Sequence, residues 1–142
     1  MLLVSSFAKD QQDVIALCLA FGLRCREAIL LCYKDMTISE EKIEIVVPGF
    51  AGYHRTITAI RTYEPELRKV IREKGVHNPE DLFIDHKISK YLDIHALRIK
   101  AAKAHYKELK VDGELSEEEI LKKVTKFLGH NRVETTLKFY LS

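Results

Sequence analysis

The chain has 142 residues, 46% of them hydrophobic and 31% charged, which suits a single domain with its own core. Its net charge of +2 creates no global field that would announce a polyanionic partner. The longest apolar run, "VIALCLAFGL", is too short to span a bilayer, and Cys18, Cys25 and Cys32 lack Cys-x-x-Cys spacing, so the expectation is a cytosolic chain with buried, reduced thiols and no metal.

In chain order, Gln11–Phe21 has helical periodicity and stops at Gly22, and a second helix is predicted from Cys25 to Tyr33 with Glu27 in its first turn, where an acid is favoured. "KIEIVV" and "HRTITAI" alternate polar with β-branched residues around "PGFAGY", which reads as a hairpin turning at Gly49 and Gly52. "EPELRKVIREKG" predicts a helix opened by Pro65 and closed by Gly75. "NPEDLFI" is a loop expected to tuck Leu82 and Phe83 into the core. From "KISKYLDIHALRIKAAKAHYKELK" onward the pattern is helical, interrupted at "VDGELS". Ser116 and Glu119 form a capping box for "EEEILKKVTKFL", Gly129 ends that helix, and "RVETTLKFYL" is a last short one. The fold class is therefore mainly α with a small antiparallel β-hairpin or sheet.

Three separated stretches carry polar residues that a core would not need. Arg24 follows a Gly-Leu turn between two apolar helices. His95 and Arg98 stand three apart on one helix. His130 follows Leu-Gly at a helix start, with Tyr140 beyond it. Two arginines, with planar forks suited to phosphate, two histidines able to move protons and a tyrosine able to attack phosphorus suit one task, phosphodiester chemistry. "LRKVIREK" and "RIKAAKAHYK" add local cationic stretches against the acidic "DGELSEEE". No Gly-x-x-x-x-Gly-Lys loop, Gly-x-Ser-x-Gly elbow or His-Glu-x-x-His pair competes with this reading.

The motifs "GLRCRE", "HALR" and "LGHNRVETTLKFY", in that order and spread from Phe7 to Leu141, resemble the catalytic domain of the tyrosine recombinases, or phage integrases. The resemblance implies that Arg24 and Arg98 clamp a scissile phosphate of double-stranded DNA while His95 and His130 contact its oxygens. A tyrosine then forms a 3′-phosphotyrosyl intermediate and frees a 5′-hydroxyl, without metal or other cofactor. It further implies integration or recombination for a mobile element, with other copies of the chain as partners on DNA and no membrane.

Four departures accompany the resemblance. Family members carry a lysine at the hairpin turn. Here the best-aligned position holds Phe50, with His54 and Arg55 on the return strand and Lys42 available at the start of the hairpin. Counted from His130, the nucleophile most often falls at Phe139, one residue before Tyr140, and one residue turns a helical side chain by about 100°. The segment between Arg98 and His130 is longer than usual, with "KVDGELSEEE" holding the extra residues, while that between Arg24 and His95 is shorter. The DNA-clamping N-terminal domain and the exchange helix after the tyrosine are not in this sequence, so all 142 residues read as one catalytic domain. The alternatives are a DNA-binding module of the same fold disabled by Phe139 and, more remotely, a helical interaction domain without a DNA role.

Overall fold

The structure is a computed structural model that describes residues 9–48 and 52–141. Helix α1 (Gln12–Phe21) runs through the middle, with Val14, Leu17, Cys18 and Phe21 fully buried. Its composition explains the position: a helix apolar on nearly every face has nowhere else to go. After Gly22, α2 (Cys25–Leu30) starts where the Glu27 carboxylate accepts the Arg24 backbone N–H at 2.9 Å. It ends earlier than its periodicity predicts, because Leu31 turns extended and its carbonyl accepts the Phe83 N–H at 2.9 Å. A 3₁₀ turn at Tyr33–Asp35 follows.

The sheet has three antiparallel strands in chain order: β1 (Met36–Ile38), β2 (Ile43–Pro48) and β3 (His54–Thr58). The β2–β3 pair is the expected hairpin, and β1, too short to signal itself, adds an edge. Ile43, Ile45 and Val47 alternate onto the buried face, and the register sets Ile57 opposite Ile45 and Arg55 opposite Val47. Arg55 therefore enters from the core side of the sheet. The expected turn residues Gly49 and Phe50 lie outside the described residues.

Helix α3 (Glu64–Lys74) packs on α1, and an irregular stretch then leads to α4 (Ile94–Asp112). Phe83 is fully buried as expected, but Leu82 is 44% exposed: its backbone bridges Cys32 while its side chain points outward. Helix α4 begins at Ile94 rather than near Lys87. The Asp93 side chain accepts the Ala96 N–H at 3.0 Å and sets the N-cap, while Ser89 spends its groups on Gln11 and Tyr91. Helix α5 (Glu117–Leu128) opens on the Ser116–Glu119 capping box, and α6 (Val133–Phe139) closes the chain against α5. Of the three thiols only Cys18 is buried. Cys25 is exposed at the first position of α2, where a helix start faces solvent, and Cys32 is half-buried. Among the described residues no helix is long and apolar enough to cross a membrane.

Candidate functional site

Arg98 is the centre of the site and is only 2% exposed. Its Nε donates to Tyr140 Oη at 3.2 Å, Nη1 to the Gly22 carbonyl at 2.5 Å, and Nη2 to the Leu128 carbonyl at 2.9 Å and His130 Nε2 at 3.2 Å. One guanidinium thus ties the end of α1, the end of α5 and the residue after α6. Burial pushes its pKa down, the bond to Tyr140 pushes it back, and the Arg24 charge lowers it again.

Tyr140 is 7% exposed and Phe139 is 55% exposed. The helical spacing argument gives the opposite facing only if α6 continues, and it does not. Tyr140 leaves helical geometry at φ −122° and ψ −26°, while its N–H and that of Leu141 both close on the Thr136 carbonyl. That break swings Tyr140 inward and leaves Phe139 in solvent beneath Lys138. The Tyr140 ring meets His130 at 4.7 Å between centroids, His95 edge-on at 5.4 Å, and the Arg98 guanidinium at 5.2 Å. Arg98, His95 and His130 therefore each meet the Tyr140 side chain.

The hydrogen bonds fix the tautomer of His130. Its Nε2 faces an arginine N–H, so Nε2 must be the acceptor, and Nδ1 carries the proton to Thr136 Oγ1 at 3.1 Å. Thr125 Oγ1 lies 2.6 Å from the Leu121 carbonyl and 2.9 Å from Thr136 Oγ1. With one proton to give, Thr125 donates to the carbonyl and accepts from Thr136. Burial first, then the charges of Arg98, Arg24 and Arg55, pushes the His130 pKa down to about 4. His130 is a neutral imidazole at pH 7, oriented by a chain of hydrogen bonds that ends in α5.

Arg24 stands apart from this cluster. Its side chain, about one third exposed, lies 3.7 Å from Glu27 Oε2 on the wall of a cleft of about 910 Å³ that also takes in Tyr53, Arg55, Lys126, His130 and Asn131. Arg98 lies beneath this cleft and not on its wall. Glu27 is 9% exposed in its side chain and pairs with Arg55 at 2.6 Å. Burial alone would raise its pKa, but the bonds from Arg55 and the Arg24 amide hold it below the usual range. Four cationic side chains, Arg24, Arg26, Arg55 and Lys126, thus line the cleft with one carboxylate, Glu27. Lys42 is not among the residues lining it and pairs with Glu44 at 3.2 Å.

Sequence reasoning underweighted Arg55. The signal was present: in "HRTITAI", Arg55 shares the inward register of Ile57 and Ala59, an unusual place for a guanidinium. Tyr53 stands exposed on the wall of the same cleft.

No family model and no curated protein matches the chain. Solved structures do. The XerH site-specific recombinase bound to a palindromic difH substrate, in a post-cleavage complex, has a TM-score of 0.61 at 19% identity over 94% of this chain and 42% of that one. Its pre-cleavage complex with a difH substrate also gives 0.61 at 19% identity, over 94% and 43%. The Tn1549 transposon integrase with circular intermediate DNA gives 0.54 at 16% identity, over 93% and 53%. This chain spans about half the length of those proteins or less, and what it shares with them is a fold, mainly helical with a small antiparallel sheet.

Proposed function

We propose that this chain cleaves and rejoins DNA strands by the chemistry of a site-specific tyrosine recombinase, with Tyr140 as nucleophile. The observation that carries the reading is Tyr140 Oη held on Arg98 Nε, with the rings of His95 and His130 against the same phenol. The fold shared with a site-specific recombinase and a transposon integrase, the latter solved with DNA, supports it.

In the proposed step Tyr140 Oη forms a bond to phosphorus as the bond from phosphorus to the 5′ oxygen breaks. The phenolic proton passes through an imidazole of the site, His130 or His95, and ends on the leaving 5′ oxygen. Atoms and charge balance without a co-reactant, and attack by the 5′-hydroxyl reverses the step. Arg24 and Arg98 meet the charge that develops on the phosphorane oxygens. With Arg98 buried and the phenol packed against it, productive binding requires the end of α6 to swing Tyr140 outward and a phosphate to take its place on Arg98.

The test is a duplex nicked near the cleavage point, which traps the intermediate. A covalent protein–DNA band from the wild type, abolished by Tyr140→Phe and retained by Phe139→Ala, supports the reading. No band, together with one from Phe139→Tyr, makes the chain a disabled DNA-binding module. Failure to bind duplex in low salt removes the DNA reading altogether.

A further inference from the structure

Arg55 bridges three parts of the chain. It rises from the inner face of β3, its Nη1 and Nη2 lie 2.6 and 3.4 Å from the two oxygens of Glu27, and its guanidinium lies across Gly129. The approach to Gly129 is so close that a Cβ there would come within 2.8 Å of Arg55 Cζ. Gly129 itself needs a left-handed backbone at φ +75° to turn from α5 to His130. Glu27, on the other side, accepts the Arg24 N–H and pairs with its side chain. The Arg55 side chain is 13% exposed, and its Nε is buried without a partner among the described residues. A buried guanidinium with one N–H unpaired carries an energetic cost and calls for a structural explanation.

We propose that Arg55 is a positioning residue of the cleft: clamped by Glu27 and laid over Gly129, it sets Arg24 on one side and His130 on the other for a single phosphodiester. This inference rests on the strand-cleavage reading above. Arg55 places two groups that meet the phosphate while its own hydrogen bonds stay on Glu27. His130 is faced by Arg98 from α4, by Arg24 and Arg55 from the cleft wall, by Thr136 from α6 and by the Tyr140 ring. Of the charges in that set, Arg24 and Arg55 both lie outside the Arg98 cluster, and Arg55 is the one whose hydrogen bonds are held by Glu27.

The experiment uses the full chain with Arg55→Gln and Arg55→Lys, each checked for a cooperative melt. In the free protein, NMR follows the His130 imidazole, its signal identified by loss in His130→Asn. Burial, Arg98 and Arg24 all outweigh Arg55 at His130, so Arg55→Gln is expected to raise the His130 midpoint only slightly from about 4, and Arg55→Lys to leave it in place. Covalent capture on the nicked duplex should slow by about 10²-fold in Arg55→Gln, as misplacement of reacting groups does. It should stay well short of wild type in Arg55→Lys, since an ammonium cannot grip both oxygens of Glu27. The salt slope of duplex binding should be unchanged in both.

An unmoved His130 midpoint in Arg55→Gln overturns the proposal. So does a full rate in Arg55→Lys, or a salt slope smaller by about one, which marks Arg55 as a plain phosphate contact. Absence of any capture by the wild type defeats the cleavage reading instead, while the His130 titration still decides where Arg55 acts.

Discussion

At the scale of single residues, the decisive pair is Phe139 and Tyr140. Neighbouring positions on a continuous helix would point about 100° apart, and a sequence gives no sign of where that helix stops. The stop at Phe139 resolves the choice of which ring enters the site, and it depends on a backbone turn around the Thr136 carbonyl that no side-chain pattern announces. The neighbouring arginine has a structural role of its own. Arg98→Ala leaves the Gly22 and Leu128 carbonyls without their donor, at about 1–3 kcal/mol each, so urea titration should show a loss of about 2–6 kcal/mol. His130 makes a pH-dependent contribution of known sign. Its native pKa lies below the unfolded value of 6.5, so the unfolded chain binds the extra proton between about 4 and 6.5. Its contribution is complete above pH 6.5 and is lost as pH falls toward 4. Wild type should lose more melting temperature between pH 7 and pH 5 than His130→Asn does. Comparing the two cancels His86, whose burial is outweighed by its bonds to Asp13 and which acts in the opposite sense.

At the scale of elements, the corners decide more than the helices do. Gly113 and Gly129 both end helices with left-handed φ, of 71° and 75°. Alanine at Gly113 meets nothing nearer than a backbone oxygen at 3.9 Å and should cost about 1 kcal/mol for the backbone strain alone. Alanine at Gly129 must also displace Arg55, so chemical denaturation should show the larger loss there, and DNA capture should fall with it. Most elements were legible because local chemistry fixes them: Pro65 and Gly75 bracket α3, and Ser116 with Glu119 opens α5. Ser116→Ala should cost about 1 kcal/mol in the same assay. One misplaced boundary was set from a distance. Helix α2 is cut short by pairing between Leu31 and Phe83, whose partner lies 52 residues along the chain, a contact outside any local window.

At the scale of the whole molecule, motif order named candidates but not their depth. Of Arg24, His95, Arg98, His130 and Tyr140, four gather at the Tyr140 side chain and Arg24 stays on the cleft wall. Motif order could not show that Arg98 is a core residue, or that the cleft above it is finished by Arg55 from the sheet, because depth is set by packing among α1, α4 and α5. In a chain of net charge +2, a cleft that gathers cations should give duplex binding that weakens steeply with salt, and Arg24→Ala should flatten that slope by about one. The convergence on Arg98 has one more consequence. The carbonyls of Gly22 and Leu128 close the C-terminal ends of α1 and α5, and such ends each carry roughly half a negative elementary charge. Two of them about match one guanidinium, so the helix dipoles supply the counter-charge for Arg98 in place of a bonded carboxylate. Without that cation, two negative helix ends would face each other across a dry gap. The architecture therefore gains stability from an arginine at position 98 whether or not DNA is ever cut, and activity must be judged from Tyr140 instead.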